Sequence, residues 1–194
     1  MTSPESDCLR LHNRHTDEVL VLRRRRRHGS AMLELRGTLP PHREGPPLHV
    51  HYLEDEEGIV TAGHLSADVG GERVEVGPGE AVRLPRGVPH RWWNAGDEPL
   101  AFEGTVQPAA DFDRYVQAIF EVMNAGPPNR PPLFYLAHVV LRHRRTQAAL
   151  IMPRWLQSVL FRLVVAIGTI TGRYQGTEWP GAPARCPGAP PSTP

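Results

Sequence analysis

"GEAVRLPRGVPHRWWN", residues 79–94, places two short apolar runs on either side of Pro85-Arg86-Gly87. Proline fixes its own backbone and glycine accepts conformations that other residues avoid, so the tripeptide turns the chain between two strands. Alternate side chains of a strand share a face. With His90 facing inward, Trp92 faces in as well and Trp93 faces out.

The same grammar extends in both directions. "PLHVHYL", "GIVTAGHLS", "RVEVG" and "LAFEGTVQP" are strand-like, and Gly70-Gly71, Gly77-Pro78-Gly79 and Ala95-Gly96-Asp97 punctuate them. Short strands at regular spacing with Gly/Pro/Asp turns predict an antiparallel sandwich or small barrel. Upstream, "EVLVLRRRRRHGSAMLELRGTL", residues 18–39, predicts a hairpin that turns at His28-Gly29-Ser30. Residues 1–16 carry no period and read as a flexible arm, so the β unit is expected over 17–110.

After Pro108 the period changes. In "DFDRYVQAIFEVMN" Asp111 is a candidate N-cap, and Phe112, Tyr115, Val116, Ile119, Phe120 and Met123 share one helical face. "AGPPNRPP" breaks this helix. A second stripe follows at Leu133, Leu136, Ala137, Val140 and Leu141, and Pro153 precedes a third helical run. A helical extension is thus expected over 111–174. Residues 175–194, rich in Pro and Gly, predict disorder.

At 194 residues the chain accommodates one principal domain. All 22 side chains counted as Lys+Arg are arginine, which looks like coding composition rather than selection for a ligand. The run Arg23–Arg27 does not form one cationic stripe, because alternate residues of a strand face opposite sides. It reads as a solvated or carboxylate-paired strand, with no nucleic-acid partner. Cys8 and Cys186 lack metal-ligand spacing and imply no disulfide framework. No basic region followed by an apolar run opens the sequence, so a cytoplasmic location is expected.

Trp155–Thr171 is an apolar run of membrane-like character, but it is short for a span and carries Arg162 near its centre. Leu156, Leu160, Leu163, Ile167 and Ile170 repeat at intervals of four and three, which suits a helix–helix seam. A homodimer is the expected use of that seam, ahead of peripheral membrane contact.

Chemistry concentrates in "PPLHVHYLEDEEG", residues 46–58. His49 and His51, two apart on a strand, face one side, where two imidazoles can grip one metal ion. Four carboxylates follow, Glu54 to Glu57, and strand parity cannot choose among them across a bend. Glu54, Asp55 and Glu57 read as solvated turn charges. His42 and His64 are candidate second-sphere donors or proton carriers, though a lone histidine is more often a surface or satisfied one.

Residues 45–94 resemble the two motifs of the cupin superfamily, G-x5-H-x-H-x(3,4)-E-x6-G and G-x5-P-x-G-x2-H-x3-N. His49, His51, Glu56 and Gly63 match the first from its histidines onward, and Gly79, Pro85, Gly87, His90 and Asn94 match every fixed position of the second. Two departures stand out: Arg43 occupies the place of the leading glycine, with Gly45 nearby, and Gly58 replaces a usually large side chain.

The resemblance implies a jelly-roll β-barrel in which His49, His51, Glu56 and His90 hold one divalent transition metal, Fe, Mn, Ni or Zn. It also implies a small-molecule substrate. A dioxygenase-like enzyme of the quercetinase type is the leading expectation, with Glu56 as the catalytic proton acceptor and Trp92 as a substrate-pocket wall. A non-redox isomerase or cyclase, and a binding module without catalysis, are the alternatives.

Overall fold

The computed structural model describes residues 8–27, 29–174 and 184–185. Strands come first: β1 (Cys8–Asn13), β2 (Glu18–Arg27), β3 (Ser30–Leu39), β4 (Arg43–Glu44), β5 (His49–His51), β6 (Asp55–Ala62), β7 (Leu65–Val69), β8 (Glu72–Val76), β9 (Ala81–Leu84), β10 (His90–Asn94) and β11 (Leu100–Gln107). Helices α1 (Phe112–Ala125), α2 (Leu133–His143) and α3 (Arg154–Ile170) follow. Strand β12 (Gln147–Ala149) lies between the last two helices, and β13 (Ala184–Arg185) lies beyond them.

The strands form two antiparallel sheets. One runs β13-β1-β2-β3-β11-β6-β9, and the other β12-β5-β10-β7-β8, with β4 paired to β10. Two such sheets packed face to face make a jelly roll, with the helices as an appendage. The predicted hairpin is present: β2 and β3 pair with Leu22 opposite Leu35. Alternation explains why it folds. On β3, Leu33, Leu35 and Leu39 are buried while Glu34, Arg36 and Thr38 are exposed.

Those leucines meet Val60, Leu65, Leu84, Leu100 and Val106 in one continuous core. Each fully buried aliphatic side chain contributes about 1.5–3 kcal/mol. Gly63 joins β6 to β7 with φ +70, and a Cβ there would stand 2.5 Å from the Pro99 carbonyl oxygen, so only glycine fits. Asn94, almost fully buried, donates its amide to the carbonyls of Leu39, Pro40 and Glu98 and accepts from Gly96 N–H. This motif asparagine therefore pins the end of β10 to the end of β3.

The run of arginines in β2 is carboxylate-paired in part. Arg24 donates Nε and Nη2 to the two oxygens of Asp113 at 3.1 and 2.7 Å, which clamps α1 to the sheet, and Arg25 pairs with Glu34. Phe112 and Phe120 are buried from the expected face of α1, together with Val122, which lies outside it. Asp111 precedes α1 but does not cap it with its side chain. Its carboxylate accepts instead from His143 Nδ1 at 2.6 Å, joining the start of α1 to the end of α2.

The structure corrects three sequence expectations. Within the expected flexible arm, residues 8–13 are strand β1, held by six pairs with β2 because Leu9 and Leu11 alternate with polar residues and Leu11 joins the core; residues 1–7 lie outside the described residues. The same holds for the expected disordered tail, apart from Ala184–Arg185, which pair with β1. Cys8 is disulfide-bonded, although the cysteine spacing implied no framework. The sequence has one other cysteine, Cys186, outside the described residues. Cys8–Asn13 and Ala184–Arg185, far apart in sequence, meet at the β1–β13 edge, which linear spacing does not reveal.

Strand β12 departs from expectation as well. Inside the expected helical extension, residues 147–149 add a strand to the edge of the second sheet, with Gln147 opposite His51 and Ala149 opposite His49. Backbone bonds at both ends, Tyr52 N–H to Thr146 O and Leu150 N–H to Leu48 O, stitch it in place. The extension thus forms part of the wall around β5.

Candidate metal centre

His49 and His51 project from one face of β5, and His90 on β10 is registered directly opposite His49. Gly87 N–H donates to His51 O at 2.7 Å, which ties the second motif's turn to the first motif's strand. The three ring centroids lie 4.3 to 4.9 Å apart. One ligand atom from each ring falls within 4.8 Å of the others.

Every ring is anchored through Nδ1. His49 Nδ1 donates to Pro47 O at 2.8 Å, His90 Nδ1 to Val88 O at 2.9 Å, and His51 Nδ1 to the side-chain oxygen of Gln147. Oxygen acceptors on all three Nδ1 atoms place the ring protons there and leave the Nε2 lone pairs facing the common centre. The Nε2 atoms of His49 and His51 are then only 3.0 Å apart, and His90 Nε2 is buried with no hydrogen-bond partner. Converging lone pairs at that separation repel unless a cation lies between them. The residues present therefore fit a metal ion, with neutral imidazole donors of the kind that Fe, Mn, Ni and Zn accept.

Electrostatics favour the neutral rings. Burial, with the neighbouring rings adding to it, lowers His49 well below the ordinary histidine range. Burial lowers His51 to about 4, and it lowers His90 as well.

Glu56 stands beside this trio rather than among its mutually close donors. Its Oε2 is 3.7 Å from His51 Nε2, and burial raises its carboxyl to about 7. Trp92 is buried, packs edge-on against Phe102 at 5.2 Å, and with Glu56, Val60, Leu65, Val82 and Leu84 lines an apolar cavity of about 20 Å³. That is room for a water molecule but not for a substrate. On the other side, Glu56 borders an open groove of about 610 Å³ lined by Ser30, Asp55, Glu57, Arg83, Arg86 and Gln107.

Two expected auxiliaries lie elsewhere: His42 pairs with Asp97 on the surface, and His64 is exposed. Gly45 does the work expected two residues earlier, since a Cβ there would stand 2.5 Å from Trp92 O. Asp55 and Glu57 pair with Arg86 and Arg83 at the surface. Glu54, expected to be a solvated turn charge, is instead fully buried with Oε1 unpartnered, and burial raises its carboxyl to about 7. The nearby Gln147 amide favours its charged form without meeting hydrogen-bond geometry. Neither carried a sequence signal: Gln147 is brought to His51 by β12 from the extension, and Glu54 sits in a run of carboxylates that reads as a charged turn.

Residues 35–106, which carry all of these motif positions, match the family model for the cupin domain. The chain carries a cupin domain. Over 79 residues it is 35% identical to "Oxidoreductase iacF" of Pestalotiopsis fici, covering 39% of each chain, so the cupin chain spans well under half the length of this curated relative. Among solved structures, a cupin protein from Bacteroides fragilis is 22% identical at TM-score 0.38, covering 41% of this chain and 67% of that one. The Cnp3 cupin domain of Schizosaccharomyces pombe is 15% identical at TM-score 0.41, covering 49% and 70%. No helix among the described residues of this cupin is long and apolar enough to cross a membrane.

Proposed function

We propose that this cupin is a mononuclear metal-dependent oxidoreductase of the dioxygenase type, acting on a small enolisable or phenolic substrate. One observation carries the reading: three buried imidazoles, each anchored through Nδ1, turn their Nε2 atoms to one point with the Glu56 carboxylate 3.7 Å from one of them. The oxidoreductase name of the curated relative supports it.

His49, His51 and His90 would hold the ion, and Glu56 is the carboxylate placed to join them. When bound, Fe(II), Mn(II) or Ni(II) would supply a template and redox partner for a substrate oxygen pair. The chain's own residues do the rest. Substrate enters by the groove, since the interior cavity is too small, and meets Glu56 first. Glu56 Oε accepts the enol or phenol proton within hydrogen-bond reach of that entry. Trp92 and Phe102 close the apolar side of Glu56 against substrate, which leaves the groove as the approach.

The test is oxygen uptake by protein loaded in turn with each metal, over a panel of phenols and enolisable diketones. Uptake that His51→Ala abolishes is expected, while Glu56→Gln, its metal content measured in parallel, lowers turnover by about 10²–10⁴-fold. Anaerobic turnover would replace this reading with an isomerase or cyclase. No turnover with any loaded metal would leave a binding module.

A further inference from the structure

Helix α3 buries Gln157, Phe161, Val164 and Gly168, and Phe161 and Val164 pack on Ala137 and Val140 of α2. The seam read from the sequence faces the other way. Leu156, Leu160, Leu163, Ile167 and Ile170 are all exposed, and Trp155 and Val159 widen the same arc, Trp155 being 70% and Ile170 85% accessible. At about 100° per residue these positions form one continuous apolar arc along the whole helix. Patches of this extent on a soluble surface mark an interaction site.

Charge identifies what covers it. No aspartate or glutamate occurs between Glu121 and Glu178, whereas Arg142, Arg144, Arg145, Arg154, Arg162 and Arg173 are exposed in that stretch. The chain as a whole carries only +1, so positive charge is concentrated at the α2–α3 end. A second copy is a poor complement. Arg162 is the midpoint of Arg154–Ile170 and flanks the arc, so a two-fold antiparallel pairing of α3 sets Arg162 beside its own mate with no carboxylate on either helix to neutralise it. An anionic bilayer satisfies both features: acyl chains take the apolar arc, and headgroup phosphates take the arginines that border it.

We propose that α3 docks this cupin on an anionic lipid surface, with the helix axis in the membrane plane and Trp155, Leu163 and Ile167 inserted. Such docking is independent of the chemistry of the metal centre.

Flotation of the full-length protein with vesicles tests it, using phosphatidylcholine alone and phosphatidylcholine mixed with phosphatidylglycerol. Binding to the mixed vesicles, little to the neutral ones, and weakening with added salt are expected. The double variant Leu163→Glu, Ile167→Glu loses binding by about tenfold or more, and Arg162→Gln loses a few-fold. Both replace exposed side chains, so circular dichroism and the melting temperature should match the wild type. Should the double variant misfold, Arg162→Gln and the salt dependence still decide. Absence of wild-type binding overturns the proposal, as does undiminished binding by a folded double variant. A sedimenting dimer that the double variant splits, without vesicle binding by the wild type, assigns the face to a second copy instead.

Discussion

The side-chain oxygen of Gln147 accepts the Nδ1 proton of His51 across a chain separation of 96 residues. Gln147 is buried and held in register by β12, so the helical extension fixes the tautomer and tilt of an imidazole in the metal centre. Replacing it with methionine keeps the volume and removes the acceptor. Gln147→Met is expected to weaken metal affinity by about 10–100-fold while the far-ultraviolet spectrum stays unchanged. Competition with a chelator of known affinity measures this, and an unchanged dissociation constant would show that the amide only fills space.

His90 supplies the test of convergence. Its Nε2 is buried with no hydrogen-bond partner, so an ion that it ligates stabilises the folded chain by mass action. At a free metal concentration near one hundred times the dissociation constant the gain is about 2.7 kcal/mol. Addition of Mn(II) or Ni(II) should therefore raise the melting temperature of the wild type and leave that of His90→Ala in place. Equal shifts in both proteins would locate the binding elsewhere.

The barrel and the three histidines were legible in the sequence because their signals are local. His49 and His51 are two apart on a strand, and Pro85-Arg86-Gly87 turns the chain just before His90. Gln147 was not legible, since it reaches His51 through a strand contributed by the extension, and Glu54 is buried although its residue type and place in a turn read as a solvated charge. The periodicity of α3 showed that one face is apolar, but not that the chain itself covers a different one. Phe161 and Val164 pack inward while Leu160 and Leu163, each one residue earlier, point out.

Gly63 combines a left-handed backbone with a close approach to Pro99 O. Gly63→Ala must absorb both the unfavourable φ and the displaced strand end. The expected loss of stability is on the order of 2 kcal/mol or more, read as a lower urea midpoint at unchanged slope. Gly71→Ala is the internal comparison: it has positive φ too, but a Cβ there would meet no atom within 4 Å, so it should lose less.

Glu18 opens β2 opposite Asn13 and is nearly buried, and burial raises its carboxyl from 4.5 to about 7. The folded chain then holds this proton over a range in which the unfolded chain has released it. Its contribution to stability is complete below about 4.5 and is lost as pH rises towards 7, the reverse of a salt-bridged carboxylate. The full span corresponds to a loss on the order of 3 kcal/mol. Glu18→Gln removes the titration while keeping the shape. Urea unfolding at about pH 4 and about pH 8 should show the wild type losing more stability than the variant across that interval. Parallel losses in the two proteins would mean that the Glu18 carboxyl titrates alike in the folded and the unfolded chain.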